Sequence, residues 1–197
     1  MSIAYLLLAA ASVHANTPED VAIQALHNFG ACIVDRSPKG ARELLAMDFR
    51  SPEYQKRLHA YATGHDYCIP FNGRLASSEL LLSGALAEAL LKIEARPAEL
   101  PQDLAFSPAR EPIPARSETE AMALCTVLNA PQATAHIFDT EPATSEEVAA
   151  MKPIGGVLGE CLKKDAKMTL NKPALRSLLA LAAWRIVNTP KTAAAAQ

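Results

Sequence analysis

Apolar residues recur at helical spacing along most of the chain, and no stretch shows the period-two alternation of a half-buried strand. Val21, Ala22, Ala25, Leu26, Phe29 and Ile33 share one face of a helix predicted over residues 18–34, opened by Thr17-Pro18-Glu19. Ser37-Pro38 opens a second helix (38–47), Ser51-Pro52-Glu53 a third (53–66) and Ser78 a fourth (79–94). A Ser or Thr at the N-cap offers its oxygen to a free backbone N–H, and a Pro at the first helical position has no N–H to leave unpaired. The order then repeats. Ser117 with Glu120, Pro131, Thr144 with Glu147, and Asn171 open helices over 118–128, 131–138, 145–163 and 172–187. Ser117/Glu120 and Thr144/Glu147 have capping-box spacing, and Gly155-Gly156 is expected to kink the helix it interrupts. The fourth helix of each set is apolar on nearly every face, through Leu82, Leu86, Leu90 and Ile93 in one and Leu175, Leu179, Trp184 and Ile186 in the other. Such helices belong in a core or an interface, so both are placed centrally.

The four cysteines sharpen the repetition. Cys32 and Cys68 are 36 residues apart, as are Cys125 and Cys161. Overlaying the chain on itself from Cys32 to Cys125 also matches Val34 with Val127, Pro38 with Pro131, Leu86 with Leu179, Ala89 with Ala182 and Ile93 with Ile186, without an insertion. The reading is an all-α fold: a tandem duplication of a roughly four-helix unit, packed as one compact domain about a pseudo-twofold axis. Four cysteines allow three pairings. Duplication favours Cys32–Cys68 and Cys125–Cys161, one within each unit, since a single ancestral unit could have used that bridge alone. None of the four has the spacing of a redox or zinc motif.

Residues 1–15 read as a signal peptide. Ile3 to Ala11 forms a short apolar run, Val13-His14-Ala15 suits a cleavage site, and Asn16 onwards turns polar. The absence of Lys or Arg before the run departs from the usual pattern. The run is too short to span a bilayer, which takes about 20 apolar residues, so no transmembrane anchor is expected after signal removal. Residues 16–95 form the first unit, 96–116 a connector, 117–190 the second unit and 191–197 a disordered tail. The connector carries Pro97, Pro101, Pro108, Pro112 and Pro114 and is expected to run extended over the surface. A periplasmic or secreted location follows, where disulfides persist.

Composition narrows the function by exclusion. Half the residues are hydrophobic and the net charge is −2, which fits a folded domain and argues against nucleic acid as a partner. The motifs of the common hydrolases, nucleotide binders and calcium loops are missing. His59 and His65 are six residues apart and so on different faces of one helix, which argues against a metal site; no cofactor is expected. One helix differs between the units. Tyr54, Leu58, Tyr61 and His65 form a stripe whose counterparts are Glu147, Met151, Ile154 and Leu158, and Asp66 follows directly. Tyr54, Tyr61, His65 and Asp66 are the candidate ligand-binding residues, able to stack and hydrogen-bond a ligand. Lys163, Lys164, Lys167, Lys172 and Arg176 form the densest basic run and are expected on a solvated loop and helix end.

The segments FGACIVDRSPKGARELLAM and AMALCTVLNAP with LGECLKK resemble an uncharacterised group of small secreted proteins of Gram-negative bacteria, built from two halves with a cysteine pair in each. The resemblance implies export and disulfides and no activity. The expectation is a non-enzymatic exported helical protein that binds another protein or a cell-envelope component, as monomer or dimer. The alternative is a carrier of a small apolar or amphipathic ligand between helices, which calls for a cavity above about 300 Å³. An enzyme of unrecognised type is the third reading.

Overall fold

A computed structural model describes residues 17–69, 73–95, 98–164 and 168–191. The expected signal peptide and residues 192–197 of the expected tail lie outside these. Ten α-helices occupy the described residues: α1 (Pro18–Arg36), α2 (Pro38–Ala46), α3 (Pro52–Thr63), α4 (Glu79–Glu94), α5 (Leu100–Leu104), α6 (Glu118–Asn129), α7 (Pro131–Asp139), α8 (Ser145–Met151), α9 (Ile154–Cys161) and α10 (Lys172–Asn188). No strand occurs among them, only an isolated bridge between Arg110 and Lys191. Boundaries recur at the step of the cysteines. Pro38 and Pro131 open α2 and α7, Pro52 and Ser145 open α3 and α8, and Glu79 and Lys172 open α4 and α10, each pair 93 residues apart.

The caps form largely as their residue types dictate. Thr17 closes a reciprocal capping box with Asp20, while Ser51, Ser78 and Asn171 accept from the N–H groups of Tyr54, Leu81 and Ala174. Two expected boxes differ. Ser117 and Thr144 cap as expected, but the carboxylates of Glu120 and Glu147 accept from the N–H groups of Arg116 and Ala143, one residue before the cap. Ser37 makes no side-chain cap.

Both disulfides close as duplication favoured, Cys32–Cys68 and Cys125–Cys161. The first ties α1 to a 3₁₀ turn at Asp66–Cys68, the second α6 to the end of α9. Three elements depart from expectation. The helix expected over 145–163 breaks at Lys152-Pro153 and not at the glycines, because Pro153 has no N–H to donate and its ring collides with the preceding turn. Residues 53–66 are likewise shorter as a helix, ending at Thr63. The connector is not extended throughout: α5 forms within it and buries Leu100 and Leu104. Lys191, expected in the tail, pairs with Asp103 at 3.3 Å.

One continuous apolar core serves both halves. Its centre is the pair α4 and α10, which make the most extensive helix–helix contact, flanked by α1 and α6 respectively. The pair crosses where Gly84 faces Ser177. A Cβ on Gly84 would lie 2.3 Å from the Ser177 Cβ and 2.5 Å from its Cα, so only glycine permits the approach. Positions 84 and 177 are themselves one 93-residue step apart, so each meets the residue that the self-overlay aligns with it.

Candidate functional site

Two polar features flank this crossing, and they occupy corresponding positions. The first is a buried ion cluster. Arg176 on α10 is wholly buried, and its guanidinium grips Glu88 on α4 through two parallel hydrogen bonds of 2.7 and 2.8 Å. Its Nη1 donates to Glu147 on α8 at 2.9 Å, and its Nη2 to the Thr140 carbonyl at 2.8 Å. Glu88 is also approached by Lys92, at 2.9 Å, and by His27 on α1, at 3.5 Å. Burial pushes the Glu88 carboxyl up, but the bonds and charge of Arg176, with His27 and Lys92, outweigh it and hold the group below the ordinary carboxylate range. Burial likewise pushes the His27 imidazole down, more strongly than Glu88 raises it. Arg176, expected in a solvated basic run, is thus a core residue. A charge inside needs paired, hydrogen-bonded partners, and this one has them from both halves.

The second feature is a cleft of about 410 Å³, mostly apolar, walled by α4 and α10 and closed by α2, the start of α3 and the start of α6. Six of its lining residues are the 93-residue counterparts of the six residues of the cluster. Tyr54 stands for Glu147, Ser83 for Arg176, Leu181 for Glu88, Met47 for Thr140, Glu120 for His27 and Arg185 for Lys92. Even the local bond repeats: the Tyr54 hydroxyl and Ser83 hydroxyl lie 2.5 Å apart, where Glu147 meets Arg176 on the other side. Serine is far smaller than arginine, so the volume the guanidinium fills in one half stands open in the other.

Arginines rim the cleft. Arg185 pairs with Glu120 at 2.5 Å and also donates to the Pro114 carbonyl. The half-buried Arg116 donates from Nη1 to the Met47 carbonyl at 2.8 Å. Burial and the neighbouring Arg185 lower its pKa from the ordinary arginine value, though a guanidinium stays charged. Arg116, Trp184, Arg185 and Leu45 are shared with a more polar hollow of about 340 Å³ that adds Arg42, Asn188 and Thr189. Trp184 is buried, and its indole N–H has no hydrogen-bond partner.

The four candidate residues do not converge. Tyr54 lines the cleft. Tyr61 turns to α2, its hydroxyl donating to the Ser37 carbonyl at 2.5 Å. His65 packs edge-on against Tyr61 and bonds through Nδ1 to the Tyr61 carbonyl. Asp66 lines a separate groove with His59, Leu58, Ile69 and Leu75. Helix α3 ends before His65, so the stripe loses its helical register there. The cleft residues Ser83 and Leu181 carried a signal in the self-overlay, because their counterparts, Arg176 and Glu88, are charged. Among the described residues no group of three His, Cys, Asp or Glu side chains could hold a metal ion, and no helix is long and apolar enough to cross a membrane. Comparison with protein-family models, with curated proteins and with solved structures finds no match.

Proposed function

We propose that this chain is a non-enzymatic, exported binding protein, built by tandem duplication, that carries a small amphipathic molecule in the cleft between α4 and α10. The observation that carries the reading is the cleft itself. At about 410 Å³ it lies within the range of small-molecule sites, which are mostly apolar with a few placed polar groups. Two pairs of its polar groups are held by one another, Tyr54 by Ser83 and Arg185 by Glu120, an arrangement that orients a guest and supplies no activated nucleophile. Two disulfides among the described residues fit an oxidising compartment, and the apolar run at residues 3–11 supports export through a signal peptide. The matching helix boundaries and the six corresponding positions support duplication.

Trp184 is the sole tryptophan of the chain and lines the cleft, so its emission reports occupancy. Titrating the purified protein with decanol, below its solubility limit, should shift that emission saturably with one equivalent. Leu181→Phe places a ring in the cleft from a half-buried position and should abolish the shift while leaving the circular dichroism unchanged. A flat titration with decanol and with charged ten-carbon amphiphiles alike would sink the carrier reading and return weight to a protein or envelope partner.

A further inference from the structure

We infer that the guest is a single-chain amphiphile with an anionic head, its tail in the apolar cleft and its head at Arg116 in the adjoining hollow. This deepens the carrier reading and rests on it. Three observations converge on Arg116. First, its guanidinium has no ion-paired carboxylate among the described residues. The arginines around it are each paired, Arg42 with Glu94, Arg50 with Asp48 and Arg185 with Glu120. Arg116 itself donates only to a backbone carbonyl, which leaves most of its five N–H donors unclaimed. Second, the hollow is lined by three guanidinium groups, Arg42, Arg116 and Arg185. The carboxylates that pair with them are two, Glu94 with Arg42 and Glu120 with Arg185, so Arg116 is the one of the three without an ion pair among the described residues. Glu120 is spent twice over, on Arg185 and on the Arg116 backbone N–H. Glu79 also lines the cleft, and Asp48 lies near but is held by Arg50. Third, Trp184 lines both cavities and keeps a buried N–H donor without a partner. Buried donors are nearly always paired, and a head group with oxygen acceptors supplies what this one lacks.

The two cavities share Leu45, Arg116, Trp184 and Arg185 in their walls, so an apolar chamber lies directly beside a cationic one. That polarity sequence is the shape of an anionic amphiphile. Water occupies about 30 Å³ per molecule, and a methylene is of similar size, so a cleft of about 410 Å³ has room for roughly 14 carbons and takes a ten-carbon tail. Carboxylate and phosphate both match the arginine fork, and both are tested.

The experiment compares decanoate, decyl phosphate, decanol and decyltrimethylammonium by Trp184 emission, each below its micelle concentration. The expected order places an anion at least ~10-fold tighter than decanol, from charge-assisted hydrogen bonds, with the cation weakest. Whichever anion leads identifies the head chemistry. Arg116→Gln should erase the preference for the anion, bringing its affinity down to that of decanol measured on the same variant, with circular dichroism as the test that the variant is folded. Should that variant not fold, the wild-type series alone decides. Equal affinity for all four heads, or a preference for the cation, overturns the anionic head and leaves the carrier reading standing. No binding of any of the four overturns both.

Discussion

Replacing Arg176 with methionine should be among the most damaging single changes in this protein, and the reason is electrostatic. Methionine keeps much of the stem volume but strands two buried carboxylates, Glu88 and Glu147, together with the Thr140 carbonyl. Glu88 keeps Lys92 and His27 nearby, and Glu147 keeps the Ala143 N–H, so neither is left wholly bare. Breaking one partner out of a buried ion pair costs about 3–5 kcal/mol. At this chain length each kcal/mol lowers the melting temperature by roughly 2–4 °C, which gives a fall of about 6–20 °C. The loss should also grow with pH. An unpaired buried carboxyl titrates above its unfolded value; its folded form is then favoured while protonated, and that stability disappears as pH rises through the raised value. The deficit of the variant relative to wild type is therefore smallest near pH 5 and larger at pH 8. The companion is Arg176→Met with Glu88→Leu and Glu147→Leu, which removes the charges together. Buried ion groups exchanged for apolar residues of similar volume are often neutral, so the triple variant should sit within about 2 kcal/mol of wild type, the difference coming from the Thr140 carbonyl and the Ala143 N–H that lose their partners. Urea and thermal unfolding followed by circular dichroism, with both disulfides intact, measures all of this. A single variant within 1 kcal/mol of wild type, or a triple variant worse than the single, would refute the reasoning.

Two further outcomes follow from the same region. Gly84→Ala should destabilise by about 1–3 kcal/mol or more through overpacking, and Ser177→Ala should not rescue it, because the Ser177 Cα at 2.5 Å remains in the way; denaturant midpoints of the two variants and their combination test this. His27 has its folded pKa depressed by burial. Its contribution is thus fully present above the unfolded value of about 6.5 and is lost as pH falls below that, through the folded value. His27→Gln should flatten the stability–pH curve below about pH 6.5, and a curve that keeps the wild-type slope there would contradict the assignment.

Much of the fold was legible because its signals are local. A Ser, Thr or Asn followed by a proline or glutamate marks a helix start whatever the tertiary context, and Thr17, Ser51, Ser78, Ser117, Thr144 and Asn171 all cap where expected. The disulfide pairing was legible from equal spacing. Pro153 was a local signal overlooked beside the more conspicuous Gly155-Gly156; a glycine costs a helix about 1 kcal/mol, but an interior proline costs about 3. Arg176 could not be placed from its neighbours in sequence. Four lysines within the preceding residues suggest a wet surface, and burial of a charge depends on partners 29 and 88 residues away. The cleft was hidden for the same reason. Tyr54 was singled out because it differs from Glu147 in the overlay, yet the larger differences, Ser83 against Arg176 and Leu181 against Glu88, lie on the helices that look most uniformly apolar.

On the duplication proposed above, the two flanks of the α4–α10 crossing began alike and have diverged to complementary ends. An open cleft surrenders packing for whatever lines it, and its walls are the two central helices. Opening both flanks would leave those helices held chiefly by the contact around Gly84 and Ser177. Filling one flank with Arg176 ties α10 to α4 through Glu88 and to α8 through Glu147, so the crossing is clamped on the side opposite the cleft. A cavity whose walls are fixed before the guest arrives spends less of the binding free energy on ordering them. On the proposed carrier reading, the buried cluster and the cleft are one device: the charges in one half hold still the frame that walls the cleft in the other.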